Sequence, residues 1–410
     1  MRKLVLRLLL LAASALGVKR ALKTSRSSGS GPLVESDDLI GPFRKRDIKR
    51  WIIEVAVIFA VMGGFGFLVA ASGIIPIKAS AGHWTITKWF LSFSMERSVS
   101  LHARGIEVPD DLDDPAKILR GAGHYETACS SCHGIPSLKK PRIASELTPE
   151  PPYLPDVISL WEPAELFYIV KHGVKMTGMP AWPARERDDE VWSVVAFLLR
   201  FPEMDEAGYH ELVWGDSLES SAGASMTLLT GPDRVPEEIA RSCARCHGSD
   251  GMGRGIGAFP TLAGQKPTYL FNSLRAYARG ERNSGIMQPI AAGLSETTMR
   301  DLARYYSSIQ PAQRAVEIDK GSVNRGREIV LNGIRDEKIP SCTDCHSPGA
   351  KDAYPLLGGQ YESYIVRQLE LFAEKKRGGS GYAHLMHPIA PKLTGEQRKD
   401  VAAYFESLGR

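Results

Sequence analysis

The 410-residue sequence predicts an all-α fold, with three small helical domains in tandem after one N-terminal transmembrane helix. Three observations predict it. First, 23 uncharged residues, Val55 to Ile77, form a mostly apolar run that crosses a bilayer of about 30 Å at about 1.5 Å per residue. Second, all six cysteines fall in three copies of one pattern, Cys-x-x-Cys-His. Third, an amphipathic stretch at helical spacing closes each copy: Asp188 to Phe201, Ser295 to Ile309 and Thr394 to Leu408.

Composition sets the outer bounds. At 43% hydrophobic and 24% charged the chain is ordinary globular protein. A mean hydropathy of −0.17 excludes a polytopic membrane protein and leaves room for one anchor. Charge is unevenly spread: residues 1–50 hold 12 Lys/Arg against 4 Asp/Glu, whereas 79–410 hold 38 against 42. A slightly acidic body argues against a nucleic-acid partner.

Residues 1–50 read as a basic cytoplasmic tail, with a Ser/Gly stretch from Ser25 to Gly31. Leu4 to Val18 is apolar apart from Arg7, and Ala13-Ser14-Ala15 fits a signal-peptidase site, so a cleaved signal is the alternative. Residues 51–78 are the expected span. The basic run Arg44 to Arg50 places its near side in the cytoplasm by the positive-inside rule, and the rest of the chain outside. Residues 79–109, with Trp84, Trp89, Phe90 and Phe93, read as a membrane-proximal stalk packed on the first domain. The domains follow at 110–203, 235–311 and 312–410, with a Ser-, Gly- and acid-rich linker at 204–234.

The cysteine pattern carries the chemistry. Cys129-Ser-Ser-Cys132-His133, Cys243-Ala-Arg-Cys246-His247 and Cys342-Thr-Asp-Cys345-His346 each match the attachment signature of c-type haem. Two thiols add across the two vinyl groups of one haem, and the adjacent imidazole meets the iron as a neutral donor. A thioredoxin-like dithiol needs no histidine, and zinc wants paired Cys-x-x-Cys units or a distant His pair. Three covalently bound haem c groups are therefore expected, with His133, His247 and His346 as iron ligands.

An internal repeat supplies candidates for the opposite ligand. Met287 follows His247 by 40 residues and Met386 follows His346 by 40. Phe259-Pro-Thr-Leu-Ala-Gly-Gln265 pairs with Tyr354-Pro-Leu-Leu-Gly-Gly-Gln360, and Tyr269 and Tyr364 each follow that Gln by four. Met287 has few rivals, since Met252 is too near the attachment site and Met299 falls in a helix pattern. Met386 is flanked by His384 and His387, which leaves bis-His ligation open. In the first domain Met179 follows His133 by 46 residues, with Met176 and His172 as its rivals. Thr394 with Gln397 reads as a capping box.

These motifs resemble class I cytochrome c domains. The second and third copies resemble the dihaem cytochrome c4 group, and the three-domain arrangement resembles the trihaem cytochrome subunits of alcohol and gluconate dehydrogenases. The resemblance covers about 110–203 and 235–410. It implies a helix bundle around each haem, selects Met179 through its Gly-Met-Pro turn, and makes the carbonyls of Pro152, Pro260 and Pro355 acceptors for the three imidazoles.

The expected protein is thus a membrane-anchored electron carrier rather than an enzyme, single-pass in a bacterial inner membrane with its haem domains in the periplasm. With both axial positions filled, iron transfers electrons and does not activate oxygen. Its partners are expected to be periplasmic or membrane redox proteins (an oxidase, reductase or dehydrogenase), with lipid held by the N-terminal helix. The alternative is the cytochrome c subunit of a membrane-bound dehydrogenase passing electrons to quinone. A peroxidase would need an open iron position, which the three methionines argue against.

Overall fold

The computed structural model describes residues 45–139, 141–215, 237–315, 319–379 and 381–409. The expectations for the basic tail before Lys45, for Ala13-Ser14-Ala15, for Ser25–Gly31 and for residues 216–234 of the linker lie outside the described residues. The chain divides into two units, Met1–Ile77 and Lys78–Arg410. Helices of eight or more residues are numbered in order, and no β-strand occurs among the described residues.

The first unit contains α1, Lys45–Ala71. Its stretch Lys49–Ala71 is apolar enough to span a membrane, and none of it is buried against protein. Such a surface is costly in water, and Phe59 and Phe67 are 68% and 73% exposed. The helix stops six residues short of the expected Ile77. Ser72 donates its hydroxyl to the Val69 carbonyl and Gly73 takes φ +71°, which turns the chain out of the helix. From Trp51 to Ala71 the helix still covers about 30 Å.

The first long helix of the second unit is α2, Thr85–His102, whose C-terminal half packs on the first domain. Val99 and Ala103 are buried, Ser100 donates to Glu165 at 2.7 Å, and the His102 ring stacks on Tyr168. The first domain adds α3 (Pro115–Ala128), α4 (Pro163–His172) and α5 (Asp188–Arg200). Asp114 accepts from the Ala116 amide and Pro115 opens α3, a standard helix start. Within the stretch read as linker lies α6, Glu206–Trp214, which belongs to this domain's core. Tyr209 and Val213 are buried there, and the Tyr209 hydroxyl donates to Glu126 at 2.6 Å. An apparently polar segment thus holds two apolar anchors one helical turn apart.

The second domain contains α7 (Glu237–His247), α8 (Pro267–Ala278) and α9 (Glu296–Ser308). The third contains α10 (Lys320–Asn332), α11 (Glu362–Ala373) and α12 (Gly395–Ser407). Thr394 and Gln397 form the expected capping box at α12, and Ser295 caps α9.

Two helix crossings hold the first and third domains. Where α3 crosses α5, a Cβ at Gly121 would stand 1.9 Å from the Ser193 carbonyl oxygen. Where α10 crosses α12, a Cβ at Gly326 would stand 1.9 Å from the Asp400 carbonyl oxygen. Only glycine lets the backbones approach so closely. Around these crossings the cores fill with Tyr125, Val195, Phe197 and Phe201, and with Val330, Val401 and Phe405. The first crossing anchors α3, which runs straight into the turn at Cys129; α10 ends at Asn332, and residues 333–341 connect it to the turn at Cys342.

Candidate functional site

Each attachment motif is a single tight turn. At site 1 the Cys129 amide closes α3 on the Tyr125 carbonyl, and the Cys132 and His133 amides both donate to the Cys129 carbonyl. Site 2 occupies the end of α7, and site 3 a one-turn helix, Thr343–His346. This winding gathers two thiols and one imidazole within a single turn of chain, as attachment to one planar group requires. All six cysteines are free and partly buried. Burial pushes the Cys129 and Cys243 thiols up to about 12 and Cys342 to about 11. That is the reverse of the lowered thiol pKa of a redox dithiol.

The imidazoles share one arrangement. His133 Nδ1 lies 2.9 Å from the Pro152 carbonyl, His247 Nδ1 3.3 Å from Pro260 and His346 Nδ1 2.9 Å from Pro355. A carbonyl only accepts, so each Nδ1 carries the proton and each Nε2 keeps its lone pair. Burial lowers the pKa of all three rings, against the pull of that carbonyl, and favours the neutral form. These are the three prolines named from sequence.

The methionines differ from their rivals in placement. Met179 is half-buried in a loop whose amide donates to Thr177 Oγ1 and whose carbonyl accepts from Val174. Met176 is 88% exposed, and His172 sits exposed at the end of α4 against Tyr168. Met287 and Met386 line the same cleft as their attachment motifs. His384 is exposed, and His387 holds its Nε2 2.8 Å from the Arg377 carbonyl. Of that trio, Met386 alone faces the cleft.

Sites 2 and 3 open into one continuous cleft. Cys243, Cys246, His247 and Met287 line one part; Cys342, Cys345, His346 and Met386 line the other. A reciprocal pair of glutamines locks the two domains across it. Gln265 accepts from the Leu356 amide at 2.8 Å and donates to its carbonyl at 3.0 Å. Gln360 does the same to Thr261, at 2.9 and 3.0 Å. Both are buried, so these four bonds replace water that neither amide could reach. The repeated Gln was legible in the sequence; that each copy reaches into the other domain was not.

Arg282 and Arg377 were missed by the sequence reading, although they stand at the same 95-residue offset as Gln265 and Gln360. Both are buried and line the cleft. Arg282 donates to Tyr364 of the other domain and to Ser273, and Arg377 donates to Tyr269. These partners are neutral, and Arg377 Nε has no partner among the described residues. Two buried cations, one of them with a spare donor, suit a group that carries its own carboxylates, as haem does through its propionates. Paired thiols, oriented imidazoles, thioether sulfurs and these cations together fit the haem implied by the sequence.

Domain 1 meets the cleft through a buried charge cluster. Asp189 accepts two bonds from Arg187 at 2.9 Å and pairs with Arg367 of the third domain at 2.9 Å. Burial pushes the Asp189 carboxyl up, but the two guanidiniums outweigh it and hold it well below its ordinary 3.8. A depressed carboxylate contributes stability above its ordinary pKa, and that stability is lost as pH falls below it. Acid unfolding should therefore begin at higher pH in the wild type than the remaining stability of Asp189→Asn would imply. Melting temperature followed from pH 6 to pH 2.5 should fall less steeply in the variant. Parallel curves would refute the assignment.

Comparison with known proteins gives a consistent picture. Residues 116–198 match the family described as cytochrome C oxidase, cbb3-type, subunit III. Residues 237–313 and 323–409 each match the family described as cytochrome c. A thiosulfate dehydrogenase electron acceptor of Thiomonas intermedia is 36% identical over 174 residues, 42% of this chain and 79% of that one. Cytochrome c-552 of Acidithiobacillus ferridurans is 34% identical, over 45% of this chain and 81% of that one. Cytochrome c4 of Pseudomonas aeruginosa is 32% identical, over 41% and 85%.

Proposed function

The chain belongs to the multihaem class I c-type cytochromes, and from that premise we propose that it is a membrane-anchored trihaem carrier working on the periplasmic side of a bacterial inner membrane. The carrying observation is the threefold repeat of one geometry: a Cys-x-x-Cys-His turn whose imidazole Nδ1 is fixed by a proline carbonyl. Bound haem iron supplies a one-electron couple between Fe(III) and Fe(II). The protein does the rest. Cys129 and Cys132, Cys243 and Cys246, and Cys342 and Cys345 would hold the three groups through thioethers. His133, His247 and His346 would present Nε2, with Pro152, Pro260 and Pro355 fixing ring orientation. Met179, Met287 and Met386 would fill the opposite positions, raise the potential and leave no open coordination site. One electron enters from a donor and one leaves to an acceptor.

The fully exposed apolar surface of α1 supports the anchor, and the basic residues before it support the orientation. The name of the Thiomonas relative supports a dehydrogenase as donor, and the match of domain 1 supports a terminal oxidase as acceptor. Quinone reduction dependent on this chain would favour the dehydrogenase-subunit reading instead.

The test is haem stoichiometry. Chain purified from detergent-solubilised membranes, made with a working maturation system, should give three covalent haems per polypeptide by pyridine haemochrome. Two or fewer would break the proposal, and recovery of the chain in the soluble fraction would remove the anchor.

A further inference from the structure

Site 2 is walled by the first domain. A Cβ at Gly123 of α3 would lie 3.1 Å from both Cys246 Sγ and the Phe259 ring, so α3 lies directly on the attachment turn. Arg120 of the same helix donates to the Ala258 carbonyl at 2.9 Å. On the methionine side, the loop 283–287 is embedded in domain 1. Arg187 donates to the Asn283 carbonyl, the Trp182 indole packs against Gly285, and Ile286 joins the domain 1 core.

At the centre of this contact is Glu190, 3% exposed and lining the cleft. It accepts from Ser284 Oγ at 2.7 Å, from the Gly285 amide at 2.6 Å and from Trp182 Nε1 at 3.1 Å, and Arg187 stands 3.0 Å away. Ser284 Oγ in turn accepts from the Met287 amide at 3.1 Å. A carboxylate of one domain is thus two hydrogen bonds from the backbone that carries the next domain's methionine. A buried carboxylate with one ion pair and three donors is among the more rigid anchors available to a loop.

We propose that Glu190 is a positioning residue for site 2: through Ser284 it fixes the loop that presents Met287, so that domain 1 helps set the potential of its neighbour's iron. The inference rests on the trihaem reading above and adds a coupling to it. Glu190 acts through the loop and touches no reacting atom. Replacing the carboxylate by an amide would set an N–H₂ group against two donors whichever oxygen it replaced, Ser284 and Arg187 or Gly285 and Trp182, and truncation to alanine would leave those donors buried and unpaired. Either change frees the loop, weakens the sulfur-to-iron bond and lowers one potential.

The experiment uses the purified, haem-loaded full chain. Redox titration and the sulfur-to-iron absorption band in the red are recorded for wild type, Glu190→Gln, Glu190→Ala, Ser284→Ala and Met287→His. The Met287→His variant marks which component of the band and which potential belong to site 2. We expect Glu190→Gln and Glu190→Ala to weaken that component and lower that potential, leaving the other two unmoved. Ser284→Ala should act on the same component, and Glu190→Gln added to Met287→His should have no further spectral effect. A folded Glu190 variant with all components and potentials unchanged overturns the inference, as does a shift confined to another haem. Should neither Glu190 variant fold, Ser284→Ala decides alone, an unchanged site 2 overturning the inference. A wild-type chain without three haems or without the band fails the trihaem reading itself.

Discussion

Replacing Cys243 and Cys246 together by serine should leave a chain with two covalent haems, in which reduction of site 1 no longer reaches site 3. The physical reason is the position of site 2. Its attachment turn lies against α3, the helix that ends at Cys129, through the Gly123–Cys246 contact. Arg245, between the two cysteines of site 2, donates to Thr127 two residues before Cys129. On its other side site 2 shares its cleft with site 3. The contacts put the attachment turn of site 2 between those of sites 1 and 3, the order in which an electron would pass if each turn holds a haem. Haemochrome analysis should fall from three groups to two. Rapid-mixing spectroscopy with a donor that reduces site 1 should then show site 3 remaining oxidised. Reduction of site 3 at the wild-type rate would show that electrons do not pass through site 2.

The second large effect is on stability. Gly326→Ala places a methyl 1.9 Å from the Asp400 carbonyl oxygen, which is backbone and cannot swing aside. Alanine gains up to about 1 kcal/mol over glycine in a helix interior. Forcing two packed helices apart costs about 1–3 kcal/mol, occasionally more, and a clash with backbone belongs at the upper end. The clash wins, and α10 separates from α12. The buried bonds from Ser322 and Arg325 to Asp400 are strained with it. Thermal unfolding followed by circular dichroism should show a lower midpoint. Gly395→Ala is the control, because nothing stands within 4 Å of its Cβ position. It should leave the midpoint unchanged or slightly raised. Equal behaviour of the two variants would mean that the crossing is looser than its geometry states.

Much of the site was legible because its chemistry is local in sequence. Cys-x-x-Cys-His needs one turn of chain, and the capping box at Thr394 needs one turn more. The resemblance to class I cytochrome c domains named the three proline carbonyls that the imidazoles use. What stayed hidden involves residues whose partners are far along the chain. Glu190 reads as one more acid in the first turn of a helix, and only the approach of loop 283–287, more than 90 residues on, makes it a buried anchor. Gln265 and Gln360 read as duplicates of one position, and the fold makes them partners of each other's domains. The helix α6 reads as linker because it sits at the head of a Ser-, Gly- and acid-rich stretch, and the burial of Tyr209 and Val213 depends on what those two meet.

The all-α class, the three attachment turns and an apolar helix of membrane-spanning length follow from the residues alone. Each of these rests on residues within a few turns of one another, or on composition alone. Tertiary structure decided how sites 2 and 3 share a cleft, that Met386 rather than His384 or His387 lines it, and which residues of domain 1 pack on site 2. Those outcomes depend on burial and on hydrogen bonds between segments dozens to more than a hundred residues apart, and no local pattern encodes the distance at which such groups finally meet.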